Sequence, residues 1–405
     1  MSSTIETDQD ESYWVRNLFV CLFGSFTTFL AMTLMLPFLP IYVQQLGVKD
    51  HASIAQWSGI AYSATFFIAG MIAPFWGYLG DRYGRKPMLL RASLGMAVTM
   101  ALMGCATNIW QLVGLRLLAG FAGGYSSGAT IMIAVQTPKD RSAWALGLLS
   151  SGIMAGNLIG PLIGGILPSL IGIRITFIGA GCLIFITFLV TLGFIREPSK
   201  LVIHEKIVKG NWFDIPNKRL IFIMLVTGML LMIANMSIEP IITLYVHQLA
   251  VEQSRITFFA GLIMSAGAFG SILSASWLGH LADKIGHARI IIWTLIIAGI
   301  LLVPQAYVTS VWQLIVLRFF MGLALGGLMP CIITIIRHQV PNHLVGTVLG
   351  YTISVQYVAQ VIGPLAGGFV SGYMGMYFVF LATSVLLLIG AIGNWFALKI
   401  SDYKY

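Results

Sequence analysis

The sequence predicts an all-α integral membrane protein, with twelve transmembrane helices arranged as two pseudo-symmetric six-helix bundles. Three observations lead there: a composition that water does not solvate, apolar runs of spanning length along the whole chain, and a repeat relating its two halves. Of 405 residues, 58% are hydrophobic and 9% charged, with a mean hydropathy of +0.89. A soluble globular chain carries about 25% charged residues. The solvent for most of this surface is therefore lipid.

Residues 1–14 read as a cytoplasmic tail, since Glu6, Asp8, Asp10 and Glu11 make this stretch polar and acidic and the basic start of a signal peptide is missing. Apolar runs then place helices near 15–46, 54–79, 88–106, 109–134, 143–168 and 173–195. A second six follow near 219–246, 256–278, 290–308, 311–336, 344–371 and 375–399. Each meets the roughly 20 residues that a hydrocarbon core requires. These runs give an N-terminal bundle at 15–195, a cytoplasmic linker at 196–218, a C-terminal bundle at 219–399 and a tail at 400–405.

Lys and Arg set the orientation, because cytoplasmic loops retain them. With the N-terminus inside, the outer loops hold only Lys49, Arg174 and Arg255, and the rest of the 23 basic residues lie in inner loops or, as Arg116 and Arg318, within spans. Both termini are thus expected in the cytoplasm. The net charge of +9 follows from this topology and calls for no nucleic-acid partner, although basic loops favour anionic lipid head groups. The four cysteines lie singly without metal-ligand spacing, so no metal site is expected.

The halves repeat each other. GYLGDRYGRK at 77–86 returns as GHLADKIGHAR at 279–289, and IWQLVGLRLLAGFAGG at 109–124 as VWQLIVLRFFMGLALG at 311–326. LIGPLIGG from residue 158 returns as VIGPLAGG from residue 361. Two similar bundles related about the membrane normal imply a site between them near mid-membrane.

These residues resemble the major facilitator superfamily over almost the whole chain. The loop with Gly77, Asp81, Arg82, Gly84, Arg85 and Lys86 is similar to the superfamily's cytoplasmic signature, with Asp283 as its echo in the second half. The resemblance implies a conformational latch in which Asp81 opposes the positive N-terminal end of the eleventh helix. In the fifth helix, Gly147, Gly156, Gly160, Pro161, Gly164 and Gly165 reproduce the antiporter signature. Glycines at such intervals let a helix pack tightly on a partner. Stretches such as PFLPIYVQQLGV and QTPKDRSAWALG resemble the MdtG-like multidrug exporters of the drug:proton antiporter group. That resemblance implies a monomer in the bacterial inner membrane that exports drugs or small amphipathic or anionic metabolites by alternating access. It implies no cofactor beyond the proton gradient. An importer, or an exporter of a carboxylate siderophore, remains as an alternative.

Ionisable groups inside spans are costly and mark function. Three lie deep: Arg116 in the fourth helix, Glu239 in the seventh and Arg318 in the tenth. The resemblance associates Arg116 with proton transfer; it assigns Glu239 no role, because relatives look apolar there. Burial and a nearby arginine act oppositely on a carboxylic acid, which makes Glu239 a switchable proton carrier in the local reading. Tyr42, Tyr62, Phe66, Asn157, Tyr245, Arg318, Gln356, Tyr357 and Gln360 are the expected walls of the substrate cavity. An enzyme is disfavoured, since no HExxH or Walker loop occurs.

Overall fold

Helices carry nearly every residue that the computed structural model describes, namely 2–138, 140–197, 217–249 and 251–400. Most of the expected linker 196–218 and nearly all of the tail 400–405 lie outside those residues. In chain order the helices are α1 (Ser2–Leu34), α2 (Leu39–Gln45), α3 (His51–Tyr83), α4 (Arg85–Met103), α5 (Ile109–Ala122), α6 (Tyr125–Gln136), α7 (Ser142–Ile171) and α8 (Ile173–Phe194). The second series runs α9 (Lys218–Met236), α10 (Ile242–Gln248), α11 (Ile256–Ile285), α12 (His287–Ala306), α13 (Val311–Leu325), α14 (Leu328–Gln339), α15 (Asn342–Met374) and α16 (Met376–Ile400). Eleven helical segments are long and apolar enough to cross a membrane. α4 is not among them; it has 19 residues, and Arg85, Lys86 and Arg91 occupy its first turns.

α1 starts at Ser2, where the sequence reading expects a tail through residue 14. Extending a helix that is already formed adds one hydrogen bond per residue, so polar residues can continue it backwards at little cost. Four expected spans are each two helices with a break between them. In the first and seventh, short 3₁₀ turns at Leu36–Phe38 and Glu239–Ile241 carry Pro37 and Pro240, which lack the N–H that a continuous helix would use. In the fourth and tenth, the breaks fall at Gly123–Gly124 and Gly326–Gly327. Gly124 has φ of +102°, which a side chain would strain.

Breaks in lipid require new partners for the freed carbonyls. At the fourth-span break, the Arg91 guanidinium donates to Phe121 O at 3.0 Å and Gly123 O at 2.8 Å. Trp76 Nε1 also donates to Phe121 O, and its ring lies 3.6 Å from Arg91 Cζ. A single cation–π clamp therefore holds the open end of α5.

The chain forms two compact units: residues 1–38 with 68–204, and residues 39–67 with 205–405. In the first, α7 packs along α1 and α8 along α4. Its core holds Trp14, Leu18, Leu89, Tyr125, Met132 and Leu149. Polar pairs link its helices, with Thr27 Oγ1 and Thr187 Oγ1 2.7 Å apart. In the second, α11 packs on α13, α12 on α16 and α15 on α9. Asn394 Nδ2 donates to Thr227 Oγ1 at 2.7 Å, and Ser384 Oγ to Gly299 O at 2.6 Å.

Leu39–Phe67, which the sequence reading places in the N-terminal bundle, groups with the second unit. Small residues make the approach close: Ser63 Oγ donates to Val361 O at 2.8 Å, and a Cβ on Gly59 would overlap the carbonyl of Pro364. Just before α3, Asp50 Oδ2 accepts from Ser53 N and Ser53 Oγ, both at 2.9 Å. These bonds, chiefly the one from the Ser53 backbone, hold the exposed Asp50 carboxyl below its usual range.

Candidate functional site

Glu239 opens the 3₁₀ turn after α9, beside Pro240. One of its oxygens, Oε2, accepts from Tyr62 Oη at 3.2 Å, and Tyr62 in turn meets the Phe66 ring edge to face with centroids 5.3 Å apart. Arg318 of α13 is an electrostatic neighbour of Glu239, although no carboxylate oxygen lies within 4.0 Å of its guanidinium among the described residues. Thus the second unit gathers four residues that the sequence reading singled out: Glu239, Tyr62, Phe66 and Arg318. Arg116, 1% exposed in α5, belongs to the first unit.

The other expected wall residues divide. Tyr42 and Tyr245 are buried, and Tyr245 Oη donates to Gln305 O at 2.8 Å and Ala306 O at 3.2 Å, closing the last turn of α12. Its hydroxyl is thereby engaged by backbone. Gln356, Tyr357 and Gln360 lie half-buried on α15, and Asn157 half-buried on α7. Among the described residues no group of three His, Cys, Asp or Glu side chains is placed to hold a metal.

The glycine face of α7 is turned onto α1. A Cβ on Gly156 would stand 2.7 Å from Phe26 O, on Gly160 it would overlap the Thr33 hydroxyl, and on Gly164 the Leu34 carbonyl. Gly147 differs, with open space around it. Pro161 and Gly165 are buried on the same helix. The second unit repeats the device less fully, where a Cβ on Gly367 would overlap the Ser237 carbonyl.

The segment from Gly77 to Lys86, expected as a loop, is the end of α3 and a tight turn into α4. Gly77 has open space, whereas Gly84 at φ +93° makes the turn into α4. Asp81 forms an ion pair with Arg85 one turn on, Arg82 lies over the Tyr83 ring at 5.5 Å, and Asp283 pairs with His287 at 3.4 Å. Glu197, which the sequence reading missed, accepts from Arg85 N and Lys86 N at 2.8 Å each, so a carboxylate caps the positive end of α4. Lys86 Nζ answers by donating to Leu192 O at 2.9 Å and Ile195 O at 2.7 Å, at the negative end of α8. The available signal was an acid directly after the sixth span. Glu197→Gln keeps one acceptor and loses the charge; it is expected to destabilise the protein by about 1–3 kcal/mol, read as a lower Tm in detergent with insertion retained.

Solved structures share the fold, and sequence relatives with a family profile show the family. A bacterial homolog to the human lysosomal transporter Spinster, in an inward-facing and occupied conformation, matches with a TM-score of 0.76 at 15% identity, covering 97% of this chain and 99% of that one. The multidrug resistance protein MdtG of Dickeya zeae strain Ech586 is 42% identical over 388 residues, 95% of both chains. That of Salmonella schwarzengrund strain CVM19633 is 43% identical over 391 residues, 95% of this chain and 96% of its own. The family profile matches residues 21–272 and again 225–404, and the chain belongs to the Major Facilitator Superfamily of membrane transporters.

Proposed function

We propose that this transporter exports small molecules across the bacterial inner membrane in exchange for protons. The observation that carries the reading is the placement of Glu239. It is the only carboxylate away from the span ends among the described residues, and it sits against Tyr62 with Arg318 as an electrostatic neighbour. A carboxylate so placed can take and release a proton as its surroundings change. The full-length likeness to proteins named multidrug resistance protein supports export of drug-like compounds. In this reading α4 completes twelve spans in two halves of six, both termini are cytoplasmic, and the working unit is a monomer that uses no cofactor beyond the proton gradient.

Inside-out vesicles test the direction. With the vesicle interior acidified, a resistance panel of anionic, neutral and cationic compounds should include at least one that accumulates inside. Collapse of the gradient should abolish that accumulation. Accumulation only under the opposite gradient would establish import in place of export.

A further inference from the structure

Away from Glu239, the second unit brings two imidazoles together at one of its ends. His51 opens α3 and His247 lies in the last turn of α10; both are exposed, and their ring centres stand 6.5 Å apart at 46°. Neither ring has a hydrogen bond or ion pair among the described residues. In the orientation proposed above, His204, His280, His287, His338 and His343 fall on the cytoplasmic side. The sequence thus carries two histidines on the outer side, and the fold makes them neighbours.

Imidazole suits borderline divalent cations such as Zn²⁺ and Cu²⁺. With metal–nitrogen bonds of about 2.0–2.1 Å, two rings on one cation have centres roughly 5 Å apart at a tetrahedral angle and roughly 6.4 Å apart when opposed. The observed 6.5 Å lies at the wide limit, and a small turn of either exposed ring closes the gap. Water fills the positions that two protein ligands leave, which makes such a site exchangeable. Asp50, anchored by Ser53, places a negative charge within electrostatic reach of His51 and favours a cation there.

His51 also stands at the end of a ladder of close contacts between α3 and α15. A Cβ on Gly368 would stand 2.6 Å from Ala55 O and one on Gly372 3.1 Å from Ala52 O, following those at Gly59 and Ser63. Motion that parts α3 from the rest of the second unit therefore separates the two rings. A cation held by both favours the joined arrangement through its differential affinity. We propose that His51 and His247 form a two-imidazole site for a borderline divalent cation, and that the bound cation staples the start of α3 to the end of α10.

The test uses the full chain in nanodiscs, with Zn²⁺ and Cu²⁺ as probes. Zn²⁺ is followed by calorimetric titration, and Cu²⁺ by the nitrogen hyperfine structure of its EPR spectrum, which should report two imidazoles. Loss of an outer-shell partner alone weakens a metal site about 10- to 100-fold, so His51→Ala and His247→Ala should each cost at least about ten-fold. Both side chains are exposed, and alanine there should leave the metal-free Tm unchanged. His338→Ala, on the cytoplasmic side, should bind like the wild type. Equal affinity in the wild type and either outer-side variant, or a single-imidazole spectrum from the wild type, would overturn the site. Nitroxides at Lys49→Cys and Gln248→Cys, with the exposed Cys105 and Cys182 replaced, test the staple. Zn²⁺ should narrow their distance distribution, and an unchanged distribution would overturn it. The site and the staple are read without transport, so failure of the export reading leaves both results standing.

Discussion

Glu239→Gln is expected to bind substrate and to lose accumulation driven by a pH gradient. Glutamine keeps the size of the side chain and an oxygen able to accept from Tyr62 Oη, now at 3.2 Å from the carboxylate, but it cannot exchange a proton. Binding and transport measured in one reconstituted preparation separate the two effects. Wild-type accumulation should vanish when the gradient is collapsed, and the variant should match that baseline with a dissociation constant within about three-fold of wild type. Glu239→Asp should recover part of the transport, because the titrating group survives and moves back by one methylene. Unchanged gradient-driven transport of both anionic and cationic substrates by Glu239→Gln would remove this residue from coupling and leave Arg116 and Asp81 as the remaining candidates.

Gly164→Leu is expected to abolish transport and to lower the yield of monodisperse protein. Already the first added carbon overlaps the Leu34 carbonyl, a backbone atom that cannot rotate away. Gly164→Ala should cost about 1–3 kcal/mol through overpacking, seen as a lower Tm and a reduced export rate. Gly147→Leu is the internal control, because its surroundings are open. Equal behaviour of the leucine variants at 147 and 164 would show that the two ends of α7 do not differ in packing.

Much of the fold was legible because lipid imposes length and polarity rules on the sequence. Every expected span corresponds to helical structure, and Pro37 and Pro240 mark two of the breaks within them. The glycine breaks at Gly123–Gly124 and Gly326–Gly327 were not legible, since glycine in a membrane helix marks a close contact as readily as an interruption. What decides between them is a remote partner, here Arg91 with Trp76, and pattern does not reveal it. Tyr62 was named as a wall residue and stands on Glu239, whereas Tyr245 was named for the same reason and closes a helix end. Both are tyrosines in spans; only the neighbour distinguishes them. Glu197 escaped notice because an acid after a span reads as ordinary loop solvation until its two backbone donors are seen.

The contact of α7 with α1 has a genetic consequence. Every amino acid other than glycine carries at least a Cβ, so no missense change in the codons for Gly156, Gly160 or Gly164 leaves that contact as it was. The smallest change open to this face is therefore a whole methyl group, and even that presses on α1. Variation that alters what the protein does must accumulate elsewhere on the helix, at positions such as Gly147, where a new side chain meets space rather than backbone.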